Sequence, residues 1–137
     1  MFKQGLGLLL LCLMNKVLFA AQVLVFVSFS MPTKLMEEIL EESSHFNIPV
    51  YLNGLYHDSM PETARKVTAF SEQIPNLTLQ IDPTLFDHFG IKQVPALVVA
   101  NDNAFDVIYG HLSIKEGLAR MAGHGDVDFA LADLRRN

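Results

Sequence analysis

The chain has 137 residues, 50% of them apolar and only 18% charged, with a mean hydropathy of +0.28. That composition excludes a disordered chain, because it buries enough surface to offset chain entropy, and the length holds one domain rather than two. The net charge is -5 and the 10 Lys and Arg residues are scattered, so no basic stripe exists to neutralise phosphates and nucleic-acid binding is disfavoured.

Residues 1–20 read as a secretory signal peptide. Lys3 precedes the apolar run from Gly5 to Met14, and the small residues Ala20 and Ala21 suit cleavage after Ala20. The run is shorter than the roughly 20 apolar residues of a membrane-spanning helix, and Lys16 interrupts it. An uncleaved anchor or an ordinary N-terminal helix are the alternatives. Lipoprotein processing before Cys12 is disfavoured by the bulky Leu11 ahead of it. Removal of the leader takes Lys3 and Lys16, leaving 8 basic against 15 acidic residues and a charge of -7. It also takes Cys12, the only cysteine, so the mature chain would enter an oxidising compartment with no thiol for a disulfide or for redox catalysis.

In chain order, Val23 to Phe29 is an almost unbroken β-branched and aromatic run, the pattern of a central strand buried on both faces. A helix over about Pro32 to Ser44 follows, with Leu35, Met36, Ile39 and Leu40 on its apolar face, Lys34 and Glu37, Glu38, Glu41 and Glu42 on a solvated one, and Pro32 in its first turn. Val50 to Leu52 is a second strand, parallel to the first through a right-handed crossover. Ser59 and Glu62 form a capping box for a helix with the stripe Met60, Ala64, Val67, Phe70 and Ile74. Leu77 to Ile81 is extended, and Asp82 with Pro83 opens a short helix that turns Leu85, Phe86 and Phe89 inward and ends at Gly90. Ala96 to Ala100 and Phe105 to Tyr109 make an antiparallel hairpin, joined through Asn101, Asp102 and Asn103, residue types that tolerate left-handed backbone angles. Ser113 and Glu116 cap a last helix lined by Ile114, Leu118, Met121 and Ala122, which stops at Gly123. Residues 124–137 form a tail, at most weakly helical through Val127, Ala130, Leu131 and Leu134.

This order of elements, with a proline opening the strand before the hairpin, is the thioredoxin arrangement. The run Phe89-Gly90-Ile91-Lys92-Gln93-Val94-Pro95-Ala96-Leu97-Val98-Val99 resembles the superfamily segment that ends in the cis-proline loop. Phe26-Val27-Ser28-Phe29-Ser30-Met31-Pro32, then Ile81-Asp82-Pro83-Thr84-Leu85-Phe86, then Phe89-Gly90-Ile91 with Val94-Pro95 resemble the TrbC family of F-type conjugative type IV secretion systems. The resemblance covers about residues 22–122. It implies an α/β, thioredoxin-like fold over residues 21–123: a central mixed sheet flanked by helices, with an inserted helix between the second strand and the cis-proline segment. It further implies a periplasmic pilus-assembly protein and a cis bond at Val94-Pro95, where an X-Pro bond is otherwise trans by default. A TraW-like protein is the implied partner, among other type IV secretion components.

Redox-active thioredoxins hold two cysteines at the start of the first helix, where its dipole lowers a thiol pKa. Here those places fall near Met31 and Lys34, and Ser28 and Ser30 have no adjacent base to make them nucleophiles. The resemblance therefore leaves a scaffold without thiol chemistry. No catalytic, cofactor or metal residue is assigned, and His45, His57, His88, His111 and His124 show no metal-ligand spacing. The candidate partner-binding groove is Ser30, Met31, Pro32, Gln93, Val94 and Pro95, with Met31 expected on the surface. A candidate contact loop carries Tyr56, His57 and Met60. The expected function is a non-enzymatic assembly factor acting by protein binding. The competing readings are a periplasmic chaperone or isomerase relative whose activity does not depend on cysteine, and a structural subunit with an idle groove.

Overall fold

The apolar run after Ala21 becomes β1 (Gln22–Val27), the middle strand of a five-stranded sheet in the computed structural model, which describes residues 21–111 and 113–131. The expected leader, residues 1–20, lies outside the described residues. Around β1 the strands β2 (Val50–Leu52), β3 (Leu79–Ile81), β4 (Ala96–Ala100) and β5 (Phe105–Tyr109) stand in the order β3-β2-β1-β4-β5. β1, β2 and β3 are parallel, whereas β4 runs antiparallel to both β1 and β5. The helices are α1 (Thr33–His45), α2 (Met60–Gln73), α3 (Pro83–His88) and α4 (Ile114–Met121).

Alternation along β1 splits the interior in two. Val25 and Val27 face α1 and α4, packing with Met36, Ile39, Leu40, Leu97, Leu118 and Met121. Leu24 and Phe26 point to the opposite face, where Phe86 and Phe89 close over Val98 and Ala100. Phe26 is fully buried and meets Phe86 edge-on at 4.9 Å between ring centroids, with Phe89 at 5.9 Å and Tyr51 at 5.6 Å. Burial and the Asp82 carboxylate raise the Tyr51 phenol above its usual pKa.

Several caps form as the sequence indicates. The hydroxyls of Ser59 and Ser113 accept the amides of Glu62 and Glu116, and the Asp82 carboxylate accepts the amide of Leu85. The Ser59 box is only half made, because the Glu62 carboxylate turns instead to His57 Nδ1 at 3.4 Å. Gly90 (φ 61°) and Gly123 (φ 73°) adopt the left-handed conformation just beyond α3 and α4, where a side chain would be strained.

Five local details differ from the sequence reading. Pro32 is the N-cap of α1 rather than part of its first turn, its carbonyl accepting the Met36 amide. Glu42 is not simply solvated: its carboxylate accepts the backbone N–H of Lys115 at 3.0 Å, tying α1 to the start of α4. The inward face of α2 keeps Val67, Phe70 and Ile74 of the expected stripe but begins at Thr63, which is fully buried, while Met60 and Ala64 are exposed. The β4–β5 turn uses no left-handed residue; Asn101 Oδ1 instead accepts the amides of Asn103 and Ala104. Residues 124–130 form turns and irregular chain, Leu131 is in a 3-10 conformation, the rest of the expected weak helix (132–137) lies outside the described residues, and Val127 and Phe129 join the core. The Asp106 carboxylate holds that segment by accepting the amides of Asp126 and Val127, both at 2.9 Å.

Candidate docking groove at the carboxyl end of the sheet

The strand register gathers the loops of interest at one end of the molecule. Val27 pairs with Leu52, Leu52 with Ile81, Phe26 with Ala96 and Ala96 with Tyr109. The segments leaving β1, β2 and β3 and the segment entering β4 therefore share the carboxyl edge of the parallel strands, where open α/β sheets bind their ligands. Ser30, Met31 and Pro32 lie between β1 and α1, and Gln93, Val94 and Pro95 lie immediately before β4, the strand beside β1. The Val94-Pro95 bond is cis.

Ser28 arranges the first wall. Its carbonyl accepts the amide of Met31, and its hydroxyl is bonded to the hydroxyl and amide of Ser30. Among the described residues neither hydroxyl bonds to a histidine or a carboxylate. Ser30, Pro32 and Lys34 are exposed, but Met31 is half-buried against the α1 side of the core, so it is not the free surface anchor expected of it. Among the described residues no side chain caps the start of α1, and its first turn contains no acidic residue.

The second wall leaves its backbone open. Among the described residues, the N–H and C=O groups of Lys92, Gln93 and Val94 make no hydrogen bond within the protein. The flanking chain is fixed on both sides, since Ile91 N donates to Phe86 O and Pro95 O accepts from Gly110 N. Lys92 and Gln93 are exposed, whereas Val94 and Pro95 are half-buried.

The contact loop is more ordered than an exposed connection requires. Tyr56 N donates to the hydroxyl of the fully buried Thr63, which donates in turn to the carbonyl of Ser59. His57 and Asp58 both take positive φ of 52° in a single 3-10 turn (Tyr56–Asp58), and the His57 ring stacks on Tyr56 at 3.8 Å. Met60 and Leu55 are exposed, at 54% and 39%.

Two residues absent from the sequence reading of the site join this loop to the first wall. Phe29 lies edge-on to Tyr56 at 6.0 Å and stacks on Phe70 at 6.2 Å. Lys66 places its Nζ 4.0 Å from the Tyr56 ring centroid and 5.2 Å from that of Phe29. The available signals were local, an aromatic next to the groove serines and a lysine on the inward turn of α2; their meeting is a tertiary contact.

All five histidines are exposed, and no three His, Cys, Asp or Glu side chains converge among the described residues. A depression of about 980 Å³ lies at the opposite end of the sheet, lined by Val23, His45, Phe46, Pro49 and Leu131 among others. No helix of the described residues is long and apolar enough to cross a membrane.

With this geometry in place, comparison with known proteins decides the family. The model of the type-F conjugative transfer system pilin assembly protein family matches residues 25–134. The chain belongs to this TrbC family. Periplasmic protein TrbC of Escherichia coli (strain K12) is 39% identical over 111 residues, which are 81% of this chain and 52% of the relative. The chain thus spans about half the length of that curated relative. Among solved structures it is similar to the reduced N-terminal domain of PilB from N. meningitidis, at a TM-score of 0.56 and 14% identity over 73% of this chain and 77% of the other. It is also similar to MTB DsbF in its mixed oxidised and reduced forms, at a TM-score of 0.50 and 24% identity over 77% and 81% of the two chains. At such identities the likeness shows the fold alone, which is thioredoxin-like. The TrbC-family chain keeps that fold with Met31 and Lys34 near the places where redox-active thioredoxins carry cysteines, and its single cysteine is Cys12.

Proposed function

We propose that this TrbC-family protein is a periplasmic, non-enzymatic assembly factor for the conjugative pilus, working by protein docking on the groove between Ser30-Met31-Pro32 and Gln93-Val94-Pro95. The observation that carries the reading is the row of unpaired backbone groups at Lys92, Gln93 and Val94, held between fixed neighbours beside a helix start without a thiol. An extended partner segment pairs with such a row by strand addition, gaining main-chain hydrogen bonds without disturbing the fold. The absence of cysteine from residues 21–137 favours docking over exchange chemistry, and the periplasmic name of the E. coli relative supports the compartment. On this reading residues 1–20 are the leader that directs export, and a TraW-like protein is the partner.

The test uses exposed groove residues, whose replacement leaves packing intact. Ser30→Arg and Gln93→Trp proteins should melt like the wild type, yet fail to recover transfer-system components from donor-cell periplasm and fail to support piliation. Normal piliation with both folded variants would mean that the groove is idle.

A further inference from the structure

The Lys66 side chain is placed in an unusual way for an acidic protein. Its ammonium lies over the faces of Tyr56 and Phe29, whose negative quadrupoles hold a cation in position. The carboxylate four residues earlier on α2, Glu62, is the natural helical partner for such a lysine but is turned to His57 Nδ1. Among the described residues Lys66 forms no ion pair. The rings that hold it are themselves fixed, Phe29 by stacking on Phe70 and Tyr56 through its backbone N–H, which donates to the hydroxyl of buried Thr63. A cation held by rings rather than by a carboxylate keeps N–H donors free for an incoming anion.

We propose that Lys66 is a carboxylate-binding subsite of the docking groove, so that the partner segment is an extended peptide carrying an Asp or Glu that reaches the Tyr56–Phe29 cluster. The inference rests on the groove reading and deepens it. Charge placement supports an acidic occupant. Residues 21–137 hold 8 basic against 15 acidic residues, yet Lys34 and Lys92 sit in the two walls and Lys66 at their margin. Asp58, Glu62 and Asp82 also lie at this end, so an acidic side chain is attracted locally by the ammonium groups of Lys34, Lys66 and Lys92 rather than by net charge, which gives orientation more than affinity. Phe29 is the physical link, since it follows β1 directly, lies next to Ser28 and Ser30 and forms one face of the lysine seat.

The test is a positional-scanning array of immobilised octapeptides, probed with the full chain purified from donor cells. The wild type should prefer Asp or Glu over Asn or Gln at one position by about tenfold, the size of one charge-assisted hydrogen bond. Lys66→Met, which keeps the apolar stem, should abolish that preference while melting normally. Lys66→Arg should retain it, because a guanidinium also stacks on rings and binds carboxylates. Peptide binding without an acid preference, or with one that survives Lys66→Met, would overturn the subsite and leave the groove standing. Failure of the wild type to bind any peptide would overturn both.

Discussion

Phe26 in β1 and Phe29 just beyond its end are three residues apart and have opposite fates. Phe26 is fully buried, with Tyr51, Phe86 and Phe89 around it on the α3 side of the sheet. Phe29 is half-buried at the sheet's carboxyl end, beside Tyr56, Phe70 and the Lys66 ammonium. Both are aromatic clusters, and the first runs on through Phe89 to the exposed Phe105 of β5, whereas the second ends in the Lys66 ammonium. The difference teaches that aromatic content alone does not mark a binding surface. On the proposed reading, what distinguishes the second cluster is the cation seated on its rings.

The sharpest way to break this comparison is to truncate both rings. Phe26→Ala should cost about 3–5 kcal/mol in urea unfolding, since it empties a fully packed site. Thr63→Val should come next, at about 2 kcal/mol, because it leaves the Tyr56 amide without its buried acceptor; the loss should appear together with faster amide exchange in residues 55–58. Phe29→Ala should cost only about 1 kcal/mol, as expected for a half-buried ring, while recovery of transfer-system proteins from donor periplasm falls steeply. If Phe29→Ala destabilised the fold as much as Phe26→Ala, the two clusters would be one core and the contrast would fail.

The smallest effect concerns pH. Burial and Asp82 raise the Tyr51 pKa in the folded state above its ordinary value near 10. The neutral phenol is therefore favoured by folding, and its contribution is fully present below about pH 10, where Tyr is protonated in both states. Above that the unfolded chain ionises first, so stability falls as pH rises toward the folded pKa. Tyr51→Phe should flatten the urea midpoint between pH 9.5 and 11 relative to wild type, and an unchanged slope would remove Tyr51 from the account.

Much of the fold was legible because burial dictates residue type. The apolar run from Val23 reads as a central strand and Ala96 to Ala100 as the first arm of a hairpin, Ser59, Asp82 and Ser113 as caps, and Val94-Pro95 as the cis bond through its family resemblance. What was missed depends on contacts far apart in sequence. Segment 124–130 reads as a loose tail, since the residue that pins it, Asp106, lies in β5 some 20 positions earlier. A Cβ at Gly125 would overlap that carboxylate, a constraint invisible without the chain crossing. Only the first turn of the α2 stripe was misplaced, because Thr63, a polar residue by type, is buried through its bonds to Tyr56 and Ser59. Met31 reads as exposed from its place at a helix start, yet its flexible side chain fills space against the core. The seat of Lys66 was not legible, since the rings that form it come from the segment after β1 and from the loop after β2.

The central claim is that partners dock at the carboxyl end of the sheet, on the open backbone before β4. A photo-crosslinking p-benzoylphenylalanine placed at Gln93, and separately at His45 in the depression at the opposite end, tests it in conjugating donor cells. Adducts to a transfer-system protein from position 93 and none from position 45 are the predicted result; adducts from position 45 alone would contradict it.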